Sequence, residues 1–239
     1  YLQANMIPWE SVMAKVWNNR IFSHIKEQVD HASRVMAEER GACPDAAECG
    51  MQERFSNKTA IAPTASISII CGGTSPGIEP IAGNSFTHKT LSGSFNVRNR
   101  HLAKLLDEKG RNDDDTWSSI VTSGGSVMHL DFLTDEEKAV FKTAFEIDQR
   151  WLIEFAGDRA PLIDQAQSLN VFLPADIHKR DLHQIHYQAW KRGVKSLYYC
   201  RSLSIQRAEK NDGDAHTDQD AAKTVAVSTI DYEECASCQ

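Results

Sequence analysis

The sequence predicts an α/β fold, and three observations predict it. A helix opened by Asp181 runs through Trp190 to Arg192-Gly193 and leads into Val194 to Arg201, a stretch rich in Val, Leu and Tyr. Helix, glycine, strand is the αβ unit of such folds, with glycine just past the helix end. Upstream, Gln167 to Leu173 reads as a short strand, and Thr134-Asp135-Glu136-Glu137 is a capping box that starts another helix.

From Pro8 to about Glu39, the residues Phe22, Ile25, Val29, Ala32 and Met36 step by three and four, which places them on one helix face. Gly41 and Pro44 stop that helix. Residues 41–58 are polar and irregular, a loop with one short helical turn. Ile61 to Ile70, β-branched and opened by Pro63-Thr64, is expected as a buried strand beside a tight loop. Cys71-Gly72-Gly73-Thr74-Ser75-Pro76-Gly77 is dense in turn formers. His88 to Leu106 reads as a connection followed by a short helix, and Asn112 to Asp115 as a solvated turn. The capping-box helix is expected to reach about Phe155, with Val140, Ala144, Ile147 and Trp151 inward. Beyond Glu209 the chain turns polar, so 209–228 is expected to be a flexible tether. The expected organisation is therefore a body, 1–208, and a tail, 209–239.

The 239 residues are 41% hydrophobic and 25% charged, ordinary globular proportions. A net charge of -7 argues against a nucleic-acid partner. No run approaches the ~20 apolar residues of a membrane helix. Six scattered cysteines fit a reducing cytoplasm better than a disulfide-stapled secreted domain. Tyr1-Leu2-Gln3-Ala4-Asn5 carries neither an initiator Met nor a signal peptide, and reads as the interior of a longer chain, from a truncated or split gene.

Four features carry chemistry. The terminal Cys235-Ala236-Ser237-Cys238 has the spacing of a reversible disulfide or of half a zinc site. No second ligand pair lies nearby, so a dithiol on a swinging arm fits better, with two incidental cysteines as the plain alternative. Tyr198-Tyr199 is either core packing or a pair of phenols for one-electron oxidation. Against the second stands the alternation of side chains along a regular strand, so stacked rings need a strand end or a bulge. Ala62-Pro63-Thr64-Ala65-Ser66-Ile67-Ser68 supplies hydroxyls and small side chains, and a helix after it would aim N–H groups at an anion. His178, His183 and His186 form no recognised metal pattern and read as surface residues, so no metal site is expected.

Together these segments resemble the large subunit of class I ribonucleotide reductases. The similar stretches are Ala62-Pro63-Thr64-Ala65-Ser66 with Gly77-Ile78-Glu79-Pro80, then Asp164-Gln165-Ala166-Gln167-Ser168-Leu169-Asn170, then Lys191-Arg192-Gly193-Val194-Lys195-Ser196-Leu197-Tyr198-Tyr199. The resemblance covers essentially the whole chain and implies the later half of the family's ten-stranded α/β barrel, followed by the tail. It implies that Pro63, Thr64, Ala65, Ser66 and Ile67 hold the diphosphate of a ribonucleoside diphosphate. Tyr198 and Tyr199 would relay a radical, which favours class I over the cobalamin-dependent class II. Cys235 and Cys238 would reduce the active-site disulfide and be re-reduced by thioredoxin or glutaredoxin. The chain itself would bind no cofactor: a metal-containing small subunit supplies the radical, and nucleotide effectors bind upstream sequence. The missing N-terminal part of the large subunit would carry the thiyl cysteine, so the fragment alone is expected to be inactive. Cys43, Cys49, Cys71 and Cys200 match none of the family's reacting positions. A free-standing thiol-redox or interaction module is the alternative reading.

Overall fold

Helix α1 (Val12–Arg40) starts where the Ser11 hydroxyl accepts the Ala14 N–H at 3.1 Å. It belongs to a computed structural model that describes residues 1–90 and 93–202. The boundary expected at 208, the tail, Cys235 and Cys238 lie outside the described residues. The expected stripe on α1 is only partly covered: Ile25 is 40% exposed, whereas Ala14, Ser33 and Ala37 are the buried positions. The cause is what docks there. The Ser33 hydroxyl accepts the Arg54 and Phe55 N–H groups, and Asn18 donates to the Phe155 carbonyl, so α1 is gripped through small and polar residues.

After the short α2 (Pro44–Glu48), the region expected as a strand is instead helix α3 (Ala65–Ile70). Thr64 adopts left-handed backbone angles and turns the chain, and its carbonyl accepts the Ser68 N–H at 2.9 Å. The isoleucine run is left facing outward, with Ile67, Ile69 and Ile70 all more than half exposed. Only Ile61 is strand-like, in a parallel bridge to Gln167. Here local turning outweighs the β preference of branched residues, which is weak without a sheet to pack on.

The expected connection from His88 is an antiparallel hairpin, β1 (Ser85–Thr90) and β2 (Gly93–Arg98). Helix α4 (Arg100–Glu108) follows, capped by Asn99, and α5 (Asp114–Thr122) is capped by Asp113, whose carboxylate accepts the Thr116 N–H at 2.7 Å. The expected acidic turn is thus a helix start. Leu102, Leu106, Trp117, Ile120, Val127 and Phe141 form the core of this part. Close approach is required where Gly125 crosses Gly83: a Cβ on Gly125 would sit 2.6 Å from the Gly83 Cα.

The capping box is present in both directions, Thr134 Oγ1 accepting the Glu137 N–H and Glu137 the Thr134 N–H. Its helix, α6 (Asp135–Val140), stops far short of Phe155, and α7 (Gln149–Arg159) starts afresh under an Asp148 cap. The break has a local cause. The Glu146 carboxylate accepts the Thr143 N–H and hydroxyl, and the Gln149 side-chain amide donates to the Ala144 and Ile147 carbonyls. Val140, Ala144 and Ile147 are nonetheless buried as expected, whereas Trp151, beyond the break, is only half-buried.

The last unit is β3 (Val171–Leu173), α8 (Lys179–Lys191) and β4 (Cys200–Ser202), with the two strands parallel. Val171 and Leu173 of β3, Ile185 and Ala189 of α8 and Ile153 of α7 pack into one cluster. His178, not Asp181, caps α8, its ring nitrogen accepting the Arg180 N–H, and Gly193 ends the helix with φ 74°. Asp164 accepts the N–H groups of Lys58 and Thr59, and Ile61 and Ser168 continue the pairing, so 59–61 runs beside 164–168. This is an α/β arrangement with parallel edges; the described residues do not close into a barrel. Among them, no helix is long and apolar enough to cross a membrane.

Candidate functional site

Two groups of expected site residues are linked through Glu79 and the segment just before β3, and the sequence alone did not reveal what joins them. The first is the loop entering α3. A helix leaves its first N–H groups without intrahelical partners, and here Ser68 is the first residue whose N–H reaches a carbonyl of the turn. The amides of Ala65, Ser66 and Ile67 thus stand at the exposed mouth of α3, with Pro63 and Thr64 half-buried behind them. Thr64 has φ 51°, rare for a β-branched residue, and its hydroxyl oxygen accepts the Gly77 N–H at 2.6 Å. The loop is therefore clamped to the Gly77-Ile78-Glu79-Pro80 segment. A helix, α3, thus follows the loop in place of the expected strand.

The second group is Tyr198-Tyr199. The two residues lie just before β4 begins at Cys200, so strand alternation does not apply to them. Their ring centroids are 4.1 Å apart at 53°, and the residues are 45% and 51% exposed. Main-chain bonds fasten them: Tyr198 N–H to the Leu169 carbonyl at 2.8 Å, and Val171 N–H to the Tyr199 carbonyl at 3.0 Å. The Arg201 guanidinium lies 5.4 Å from the Tyr199 ring centre.

Between the groups sits Glu79, 4% exposed. It accepts the Asn170 N–H at 2.7 Å and the Asn170 side-chain amide at 3.0 Å, while the Asn170 side-chain oxygen accepts the Tyr199 N–H at 3.1 Å. Burial pushes the Glu79 carboxyl above the usual carboxylate range, against the pull of the Asn170 donors and of the Arg201 and Arg159 charges. Arg159, 2% exposed, donates to Gln167 and Asn18, and burial pushes its pKa down to about 10. A cleft runs past Glu79 and Arg159 to Gly77, Trp9 and Trp17. Glu79 and Asn170 stand within quoted motifs, yet nothing in their spacing marks them as partners. Cys200 is exposed beside the tyrosines, and His186 Nδ1 contacts the Leu182 carbonyl within its own helix. Among the described residues no group of three His, Cys, Asp or Glu side chains is arranged to hold a metal ion.

The family profile described as ribonucleotide reductase, barrel domain, matches residues 47–200. The chain belongs to the ribonucleotide reductase family. A ribonucleoside-diphosphate reductase large subunit of Invertebrate iridescent virus 6 is 46% identical over 214 residues, covering 88% of this chain and 22% of that protein. A putative large subunit of Frog virus 3 is 37% identical over 239 residues, 100% of this chain and 40% of that protein. The solved class Id ribonucleotide reductase alpha subunit of Actinobacillus ureae superposes with TM-score 0.78 at 40% identity, covering 85% of this chain and 37% of that one. The chain thus spans less than half the length of these relatives.

Proposed function

We propose that this chain is part of the large subunit of a ribonucleoside-diphosphate reductase, which converts ribonucleotides to deoxyribonucleotides by radical chemistry in the cytoplasm. The observation that carries the reading is the exposed Tyr198-Tyr199 ring pair, hydrogen-bonded at Leu169 and Val171 to the segment that also pairs with Ile61 just before the amide-lined loop, in a chain of this family. The N–H groups of Ala65, Ser66 and Ile67, with the Ser66 hydroxyl, face a diphosphate, and Pro63 and Thr64 set the loop that presents them. The tyrosines pass a radical: each gives up one electron and its phenolic proton, and takes both back as the radical moves on. Their closeness suits that transfer, and their exposure leaves a side open to the partner that delivers the radical. That partner is a metal-containing small subunit, and the name of the Actinobacillus ureae relative favours class I over a cobalamin enzyme. Cys235 and Cys238 act as the thiol shuttle between the active-site disulfide and thioredoxin or glutaredoxin. The reacting cysteine and the effector sites belong to the remainder of the subunit, and this chain binds no cofactor of its own.

The test is reconstitution. The chain, joined to or mixed with the preceding portion of the subunit, is incubated with small subunit, a ribonucleoside diphosphate and reduced thioredoxin. Deoxyribonucleotide should form only with all components present. A mixture in which omitting this chain changes nothing overturns the proposal.

A further inference from the structure

Among the described residues neither carboxylate oxygen of Glu79 is spent on an ion pair; both are filled by the one residue Asn170, backbone N–H and side-chain amide together. With its nitrogen committed to Glu79, the Asn170 amide can only turn its oxygen the other way. That oxygen accepts the Tyr199 N–H. On either side the main chain does the holding, through Leu169 to Tyr198 and Tyr199 to Val171. The Tyr199 N–H depends instead on a side chain, and the orientation of that side chain depends on Glu79. We infer that Glu79, acting through Asn170, is a positioning residue that fixes the backbone at Tyr199 and so holds the two tyrosine rings in their 4.1 Å contact. The inference rests on the relay proposed above.

The polarity of the network makes it testable. In Glu79→Gln the new amide nitrogen opposes an Asn170 donor, and if Asn170 flips to suit it, its nitrogen opposes the Tyr199 N–H. Asn170→Asp places a second carboxylate against Glu79. In the double variant the introduced glutamine donates to the introduced aspartate and still accepts the backbone N–H of residue 170. The aspartate's other oxygen accepts the Tyr199 N–H. Donors and acceptors are again complementary, with one negative charge as before. The burial that raises the Glu79 pKa acts on that single charge in either arrangement.

The variants are assayed in the complete large subunit with its small subunit, a ribonucleoside diphosphate and thioredoxin, alongside Tyr199→Phe. Each single variant is expected to lose roughly tenfold or more in kcat, as small misplacements of reacting groups do, with KM little changed. The double variant is expected to recover most of the loss, and an aminotyrosine placed at 199 should trap radical in the wild-type background and the double variant but poorly in the single ones. If Tyr199→Phe turns over normally, the relay falls and this inference with it. If Tyr199→Phe is inactive while Glu79→Gln keeps full kcat, the inference alone is overturned. It is equally overturned if the double variant shows no rescue, or if the singles raise KM as much as they lower kcat.

Discussion

The hydroxyl oxygen of Thr64 accepts the Gly77 N–H across 2.6 Å, and it does so from left-handed backbone angles that a threonine rarely adopts. Such conformations cost about 1–3 kcal/mol and persist where the surroundings over-determine them. Here the bond to Gly77 and the start of α3 do so. Removing the hydroxyl while keeping the shape, as in Thr64→Val, leaves the Gly77 N–H unpaired at about 1–3 kcal/mol. The expected result is a rise of roughly tenfold in KM for the diphosphate substrate, since 1.4 kcal/mol is about a factor of ten. Thr64→Ser keeps the acceptor and should stay within about threefold on the same scale. Equal effects of the two would show that the clamp does not shape the loop.

Replacing Tyr199 with Phe preserves the ring that packs on Tyr198 but removes the phenol. Reduction should fall to background in a complete enzyme, with substrate affinity changed by less than about twofold, the pattern of a group needed only for the chemical steps. Tyr198→Phe should do the same. Single-turnover product yield and equilibrium binding of the nucleotide, measured on one preparation, separate the two quantities. Near-normal turnover would return both residues to the role of packing.

How much of this was legible in the sequence follows from the range of each interaction. The capping box at Thr134 and Glu137 closes within one turn of chain, so four letters suffice to read it, and both of its bonds are present. The helix it starts stops short of the periodic pattern because Glu146 and Gln149 cap and break the chain with side chains that helical periodicity does not record. Val140, Ala144 and Ile147 are buried all the same, because burial follows the apolar residues whether or not the helix is continuous, although Trp151 is only half-buried. Ile61 to Ile70 misled, because a β-branched run signals a strand only if a sheet receives it, and Thr64 turns the chain away first. The tyrosine pair and the loop were visible as motifs. Their link was not, since Glu79 and Asn170 meet across 91 positions and neither is unusual where it stands.

Lys58 gives a prediction in pH. It is 12% exposed and pairs with Asp30 at 2.6 Å and Glu53 at 3.3 Å, bringing α1 and the segment after α2 together. The Lys58 hydrogen bond holds the Asp30 carboxyl below its ordinary value, and Glu53 is likewise lowered, first by Ser33 and then by Lys58. A carboxyl lowered in the folded state adds stability above its unfolded pKa, and that stability is lost as pH falls through the folded value. Lys58→Met is therefore expected to cost about 1–2 kcal/mol at pH 7, between the values for exposed and buried pairs. The difference should shrink as pH drops below about 4, where both carboxyls begin to protonate. Denaturant midpoints at neutral and acid pH measure it; a cost independent of pH would mean that the lysine contributes by packing alone.

Cys235 and Cys238 provide the last prediction, argued from the sequence because they lie outside the described residues. A dithiol that carries electrons from thioredoxin to a buried active-site disulfide is needed at every turnover but not for the first, which starts from a reduced enzyme. Cys235→Ser should leave the initial burst of deoxyribonucleotide intact and stop it after about one equivalent per site when thioredoxin is the reductant. A small dithiol such as dithiothreitol reaches the disulfide by diffusion and should sustain slow continued turnover in the same variant. Cys238→Ser should match it, because neither thiol alone forms the exchangeable disulfide. Continued thioredoxin-driven turnover in either variant would remove the shuttle role and leave the terminal cysteines as incidental residues.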